Sequence, residues 1–331
     1  MIEKKNSTYA VVGLGNISDR HRTNLKSIFP ASQVACLSSS GRYLNHLPIA
    51  CDILASSVDE LILLNPAFAI IASPATFHAE HAIPFIENNI PVLIEKPIAA
   101  NKEDAKKIIK SIKQYKTPVA IGYCLRYKPF LKEVQDLLDH ERIGKILKVD
   151  ITCGSYLPDW RPSKNYLNSV SASASLGGGV MLELSHELDY ANFLFKNMHL
   201  ESAVISNSGT LNIDVEDTAD IIFKLSAGGT LAVHLDFLQK SAIRHAHFHG
   251  SEGKILWDLQ NNILETSVSG HKKNRSLEKW NSNVMYIQMI KDFANHFIKH
   301  QQNDLCTPLE ALYVLEYIEQ AKQLSNKDTN E

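Results

Sequence analysis

Two short stretches carry side chains able to move a proton. In Gly177–Tyr190, GGGVMLELSHELDY, three glycines precede Glu183, His186 and Asp189. Residues three apart lie on one helical face, so these groups can act together. A histidine titrates near neutral pH and suits a general base, with a carboxylate to orient it. The spacing predicts one helix through this run, with Val180, Leu184, Leu188 and Ala191 as its apolar stripe. Glu183, His186 and Tyr190 then lie beside that stripe, and the glycines let a backbone pass close to a ligand. In Glu95-Lys96-Pro97 a lysine stands at the end of an apolar run. Partly desolvated and near a cationic ligand, such an amine has a lowered pKa and can give or take a proton. Pro97 restricts the residues before it to extended geometry. Taken singly, His186 reads more readily as a structural histidine and Lys96 as a surface lysine.

Both stretches need a frame. Tyr9–Gly13 is a short apolar run, and Gly13-Leu14-Gly15-Asn16-Ile17-Ser18 follows. A tight glycine turn that opens a helix is what a dinucleotide pyrophosphate requires. Gly13 and Gly15 supply the turn, Asn16 and Ile17 open the helix, and Ser18 takes the place of a third glycine. After the second strand, Ser38-Ser39-Ser40-Gly41-Arg42 offers hydroxyls and a cation but no carboxylate. Ser38 and Arg42 suit a 2′-phosphate, which an acid would repel. The expected cofactor is NADP or NAD, with NADP preferred.

Strand candidates at Tyr9–Gly13, Gln33–Leu37, Ala67–Ala72, Val92–Glu95 and Thr117–Cys124 alternate with helices at Arg20–Ile28, Phe77–Asn88 and Lys102–Gln114. This predicts an α/β fold with a doubly wound parallel Rossmann sheet. After Cys124 the pattern becomes strands at Lys145–Cys153, Leu200–Ser206, Thr218–Leu225, Thr230–Leu238, Ala246–Gly250 and Gly253–Leu259. Helices at Met285–His300 and Pro308–Ser325 close the chain. The expected division is a dinucleotide-binding domain over 7–124 and a substrate-binding and oligomerisation α/β domain over 125–325. The second domain carries an open, mostly antiparallel sheet. A length of 331 residues, 44% hydrophobic and 21% charged content, and a net charge of -2 fit an ordinary soluble globular protein of two domains. They give no pull toward nucleic acid or anionic membrane. With no apolar run of membrane-spanning length, a cytoplasmic location is expected, with its five scattered cysteines reduced.

The chain resembles the glucose–fructose oxidoreductase/inositol dehydrogenase/rhizopine catabolism (Gfo/Idh/MocA) family. The matching pieces run in order: VVGLGNIS, ASPATFHAEHA at Ala72–Ala82, EKPIA at Glu95–Ala99 and GYCLRYKP at Gly122–Pro129. They continue with IGKI at Ile143–Ile146, GGGVMLELSHELD at Gly177–Asp189, VEDTA at Val215–Ala219, GSEGKILWD at Gly250–Asp258 and PLEAL at Pro308–Leu312. The resemblance implies nicotinamide-dependent sugar chemistry. By position, it implies that Ser73, Pro74 and His78 border the cofactor with Glu95 and Lys96, and that Trp160 and Arg161 reach the cofactor from the second domain. Lys96 and His186 match the family's active-site lysine and catalytic histidine. Arg126 and Asp189 also match, and with Tyr127, Lys164 and Tyr190 they complete the expected substrate contacts. The family's carboxylate stands four residues before the histidine with a glycine between. Here Glu183 stands three before, with Ser185 in the glycine's place.

Arg126, Lys128, Arg161 and Lys164 suit a carboxylate or diphosphate. The whole stretch from YLPDWRPSKNY through SHELDY resembles members associated with surface-polysaccharide or nonulosonic acid sugar synthesis. The expected substrate is therefore a nucleotide-activated or acidic sugar. Alternatives are a non-catalytic NAD(P)-binding sensor on this fold and a lyase or hydrolase assisted by transient NAD redox chemistry. His245, His247 and His249 alternate along a strand, so their rings share a face. Residues two apart lie roughly 6–7 Å apart, wide for one zinc ion, and no metal is expected. Apolar content in Thr218–Leu225 and Thr230–Leu238 predicts an uncovered apolar sheet face that makes a homodimer or homotetramer.

Overall fold

The computed structural model describes residues 7–42, 44–299 and 304–328. It resolves into two compact units, one running through Tyr127 and including Ser282–Leu312, the other comprising Lys128–Asn281 and the residues from Tyr313.

The first unit runs β1 (Thr8–Val12), α1 (Asn16–Ile28), β2 (Gln33–Leu37), β3 (Ile53–Ala55), α2 (Val58–Leu63), β4 (Ala69–Ile71), α3 (His78–Glu87), β5 (Val92–Ile94), α4 (Lys102–Tyr115) and β6 (Val119–Ile121). The strands order β3-β2-β1-β4-β5-β6, and every pair is parallel. Central strands covered by helices on both faces need continuous apolar runs. Val11, Ala35, Ile70 and Ile94 are accordingly fully buried. Side-chain caps start α2 and α4: Glu60 N donates to Ser57 Oγ at 3.1 Å and Asp104 N to Asn101 Oδ1 at 2.8 Å. The N-cap of α1 is Gly15, which has no side chain to offer.

In the second unit come α5 (Leu131–Asp139), β7 (Ile146–Gly154), α6 (Val180–Glu183), α7 (His186–Phe195), β8 (His199–Ser206), β9 (Thr218–Lys224), β10 (Thr230–Asp236), β11 (Ile243–Gly250), β12 (Gly253–Asp258), β13 (Ile263–Val268) and β14 (His271–Ser276). Their sheet orders β14-β13-β12-β11-β7-β10-β9-β8. All pairs are antiparallel except β10 with β7. Strand alternation buries one face: Ala219, Ile221 and Phe223 of β9 and Leu231, Val233 and Leu235 of β10. Phe248 packs on Phe195, Trp257 on Tyr190 and Phe223 on Tyr317, so α7 and the C-terminal helix cover that face.

α8 (Asn283–Lys299) and α9 (Pro308–Asp328) complete the chain. The expected domains assigned both helices to the second half. The compact division instead puts Ser282–Leu312 in the first unit. The contacts explain it: the Asn24 and Asn283 amides exchange hydrogen bonds, Phe293 meets Phe68 edge-on, and Cys306 bridges to β6 at Ile121. The expected uncovered apolar face is also corrected. The apolar residues of β9 and β10 point to the covered side. The open side carries Thr218, Asp220, Lys224, Thr230 and His234, with Ile222 and, on β8, Val204 as exposed apolar residues. All five cysteines are buried free thiols.

Candidate active site

The glycine turn sits at the carboxyl end of β1. Gly13 has φ +118°, and a Cβ there would lie 2.4 Å from Ala72 O and 2.7 Å from Ser18 Oγ. That backbone region and that crowding admit glycine alone. Around Gly15 an added Cβ would meet nothing within 4 Å, so the backbone is open to close approach. Ser18, in the third glycine's place, donates to Ala72 O at 3.2 Å and packs with no exposed surface. The first amides of α1, at Asn16 and Ile17, have no side-chain cap. An uncapped helix start beside an open glycine fits a pyrophosphate. Arg22, buried under the turn, donates to Gly13 O at 3.4 Å and to Ile49 O at 2.8 Å, tying the turn to the segment before β3.

The other strand ends converge on the same edge. After β2, Ser38 Oγ accepts from Arg42 N at 3.2 Å and lies 3.4 Å from Ser40 Oγ, while Arg42 is exposed. After β4 come Ser73 and half-buried Pro74. His78, expected at the cofactor, is 1% exposed. Its two ring nitrogens lie 2.9 Å from Ser73 O and from Pro97 O. Burial pushes its pKa down, against the pull of these carbonyls and of Glu95. The ring therefore braces the loops after β4 and β5 and presents no atom outward. From Val92 to Ala99 only Lys96 is not buried, and the Lys96–Pro97 bond is cis.

Arg126 and Tyr127 lie in the short turn after β6. Arg126 is 2% exposed, and its Nη1 lies 3.3 Å from Glu310 Oε1 and 3.4 Å from Leu305 O. Burial raises the Glu310 carboxyl, but Arg126 and Thr307 together hold it below its ordinary value. The guanidinium braces the segment before α9 and the first turn of that helix. Tyr127 is half-buried, and burial drives its phenol upward.

In the second unit the glycines answer to the chain itself. A Cβ on Gly178 would lie 2.3 Å from Val170 O, and one on Gly179, at φ +104°, 2.5 Å from Glu216 Oε1. Val180 N donates to Glu216 O at 3.0 Å. The expected close approach to a ligand is thus an approach to the loop before β9. The single helix is also corrected: α6 ends at Glu183 and α7 begins at His186, with Ser185 Oγ donating back to Leu182 O at 2.9 Å. This break shifts the helical phase. Asp189 and Tyr190 turn fully inside, Tyr190 against Trp257 at 5.4 Å, and burial raises its phenol far above the usual value. From Gly177 to Asn192 only Glu183 and His186 keep exposed surface.

Trp160 lies in a short helical turn after β7, where its Nε1 donates to Ser155 Oγ at 2.8 Å and its ring meets Phe237 edge-on. Arg161 and Lys164 are exposed. The ring centroids of His245 and His247 are 4.8 Å apart and those of His247 and His249 6.3 Å. Among the described residues no three His, Cys, Asp or Glu side chains group as metal ligands. No helix among them is long and apolar enough to cross a membrane. Sequence reasoning missed His21 on α1, Glu187 and Arg244. Their signal lies in pairings 74 and 57 residues apart, which periodicity does not show.

A doubly wound parallel sheet with this glycine turn, joined to a sheet-based second unit, defines an NAD-binding oxidoreductase architecture. Residues 7–123 match the model described as "Oxidoreductase family, NAD-binding Rossmann fold", and residues 131–256 match the GFO/IDH/MocA C-terminal domain. The chain belongs to the Gfo/Idh/MocA family. It is similar to a 1,5-anhydro-D-fructose reductase of Ensifer adhaerens, 26% identical over 208 residues. That match takes in 61% of this chain and 60% of the relative, so the chain spans about three-fifths of it. Among solved structures, a levoglucosan dehydrogenase in complex with NADH and levoglucosan superposes with TM-score 0.84 at 17% identity, covering 97% of this chain and 98% of the other. A UDP-N-acetylglucosamine 3-dehydrogenase from Acidithiobacillus ferrooxidans gives 0.76 at 19% identity, covering 96% and 97%.

Proposed function

We propose that this protein is a nicotinamide-dependent sugar dehydrogenase or reductase in which Lys96 and His186 handle the proton of the reacting hydroxyl. One observation carries the reading: on two otherwise buried segments, the residues that are only half-buried are Lys96 on one, and Glu183 and His186 on the other. Titratable groups that keep access to solvent on otherwise packed segments are candidates for proton chemistry. A bound nicotinamide supplies or accepts the hydride. The chain does the rest. Gly13, Gly15 and the uncapped start of α1 hold the pyrophosphate. His186 takes the proton from the carbinol oxygen as the carbonyl forms, oriented by Glu183. Lys96 hydrogen-bonds the same oxygen and stabilises its developing charge. Trp160 and Arg161 complete the cofactor contacts.

The substrate class is a nucleotide-activated or acidic sugar. The exposed cations Arg161 and Lys164 support it, as does the nucleotide-sugar substrate in the printed name of one solved neighbour. Lys96→Met and His186→Ala should each lower kcat by about two to four orders of magnitude, the contribution of a positioned acid–base group. The combined loss should fall short of the sum, because both groups serve one proton transfer. A panel of nucleotide sugars, free sugars and polyols, read by nicotinamide absorbance, tests the class. Undiminished turnover in both variants overturns the reading.

A further inference from the structure

His21 on α1 and Glu95 after β5 form a buried pair. Nε2 lies 2.6 Å from Glu95 Oε1, the imidazole has no exposed surface, and the carboxylate side chain is 10% exposed. The other carboxylate oxygen, Oε2, accepts from the Lys96 amide at 3.1 Å. The second ring nitrogen, Nδ1, is buried with no hydrogen-bond partner among the described residues. A contact of this length needs a proton between nitrogen and oxygen. A proton on Nδ1 as well would be a buried donor without an acceptor, at the full desolvation cost. With Nε2 donating to the Glu95 carboxylate, Nδ1 is left as an unpaired acceptor, and the site is spared a buried donor without a partner.

The surroundings fix both partners. A Cβ on Gly122 would come 3.2 Å from the Glu95 Cα and carboxylate, so glycine there makes room for the acid. The His21 ring meets Tyr286 of α8 edge-on at 6.0 Å, and the Arg20 guanidinium lies 4.5 Å over the Tyr286 ring. Hence His21 holds a buried negative charge at the carboxyl end of β5, and through Oε2 that charge grips the backbone of Lys96.

We propose that His21 is a positioning residue that holds and aims the Glu95 carboxylate, so that this edge of the sheet binds the cationic oxidised nicotinamide in preference to the neutral reduced one. The inference rests on the reading of this edge as the nicotinamide site. Charge selects between redox states because the two rings differ by one unit of charge, and burial keeps the field of Glu95 unscreened. His21 therefore acts on the redox state of the cofactor as well as on the direction of Lys96.

The test measures dissociation constants for NADH, by fluorescence titration, and for NAD+, by competition, in the full chain. In His21→Leu the affinity for NAD+ should fall about tenfold relative to that for NADH. His21→Gln, whose amide can donate to the same oxygen, should restore most of the ratio. A merely structural role lowers both affinities together and leaves the ratio in place. If His21→Leu does not fold, Glu95→Gln removes the charge with little change of shape and should shift the ratio the same way. A ratio unmoved in the folded variants, with both cofactors binding, overturns this inference and leaves the proposed site standing. A wild-type chain that binds neither cofactor overturns both.

Discussion

Arg244 grips Glu187 with two hydrogen bonds, Nε to Oε1 at 2.6 Å and Nη2 to Oε2 at 3.0 Å, and Glu187 is the residue after His186. The pair fastens the first turn of α7 to β11. Glu187 is fully buried, whereas the Arg244 side chain is 24% exposed. Losing the arginine leaves an uncompensated buried carboxylate, and the usual cost of that is about 3–5 kcal/mol. The partial exposure of Arg244 puts the expected loss near the lower end. Arg244→Leu should therefore destabilise the chain by about 3 kcal/mol in urea unfolding. Adding Glu187→Gln should recover part of it, because the stranded charge is gone. A double variant as unstable as the sum of the singles would show that the two side chains do not work as a pair.

Gly13→Ala should fail at two levels. At φ +118° a side chain is strained, and the new Cβ would stand 2.4 Å from the carbonyl of buried Ala72, just past the end of β4. Strain of this kind costs about 1–3 kcal/mol. The turn can relieve it only by moving Gly15 and the start of α1 away from where a pyrophosphate would lie. The melting temperature should drop and NADH fluorescence enhancement should vanish. Gly15→Ala, with open space around it, should cost little stability. A stable Gly13→Ala with unchanged NADH affinity would count against the turn as the cofactor cradle.

The Ser38–Arg42 turn should discriminate between cofactors. Its hydroxyl and amide bind each other, leaving the exposed Arg42 guanidinium available to a 2′-phosphate. NADPH should bind at least as tightly as NADH. Arg42→Ala should weaken NADPH by roughly tenfold, the lower part of the range for a charge-assisted hydrogen bond, and leave NADH nearly unchanged. Titration that finds NADH bound tenfold more tightly by the unaltered chain rejects the assignment.

Much of this architecture is legible in the sequence for a simple reason. Buried parallel strands such as Val92–Ile94 must be apolar throughout, and amphipathic helices such as α4 show their period. β3 has three residues and escapes a search for longer runs. β13 and β14 escape because they form a hairpin whose second strand, HKKNRS, is exposed throughout, with no alternation to read. Their turn, Ser269-Gly270, has φ +49° and +81°, the two-residue geometry that matches strand twist. At the site, Gly13, Gly15 and Lys96 stand where their motifs suggest. Asp189 and Tyr190 do not, because the helix breaks at Leu184-Ser185 and no local signal marks a change of helical phase. Arg126 and His78 carry polar groups that the fold spends on its own backbone and on Glu310. Only tertiary contacts reveal such internal use.

The open sheet face gives a further test. Val204 on β8 is 65% exposed and Ile222 on β9 41% exposed, and they share that face with Ala232. We propose that a second copy covers them in a homodimer or homotetramer. A small apolar spot ringed by polar residues is an ordinary interface core. Ile222→Glu should then lower the mass seen in light scattering at micromolar concentration. A monomeric mass for the unaltered chain would remove the basis for the proposal.

His234, on that same face, should make stability depend on pH. Its Nδ1 lies 2.7 Å from Asp220 Oδ1 and its Nε2 3.1 Å from Asp236 Oδ2. The Asp236 hydrogen bond, opposed by burial and aided by Asp220, raises its pKa from 6.5 to about 9. Burial alone would raise the Asp236 carboxyl, but His234 and the amides of Leu238 and Gln239 hold it below its ordinary 3.8. Asp236 therefore stays ionised where the histidine titrates. A group whose pKa is higher in the folded state stabilises fully below its unfolded value. That contribution is lost as pH rises through the folded value. The unfolding midpoint should thus fall between about pH 6.5 and pH 9 as His234 loses its proton and with it the attraction of two carboxylates. His234 and Asp220 are both substantially exposed, so solvent screening keeps the effect modest. In His234→Asn the same window should be flatter, and added salt should flatten the unaltered chain as well. An identical slope in both proteins would place the pH dependence elsewhere.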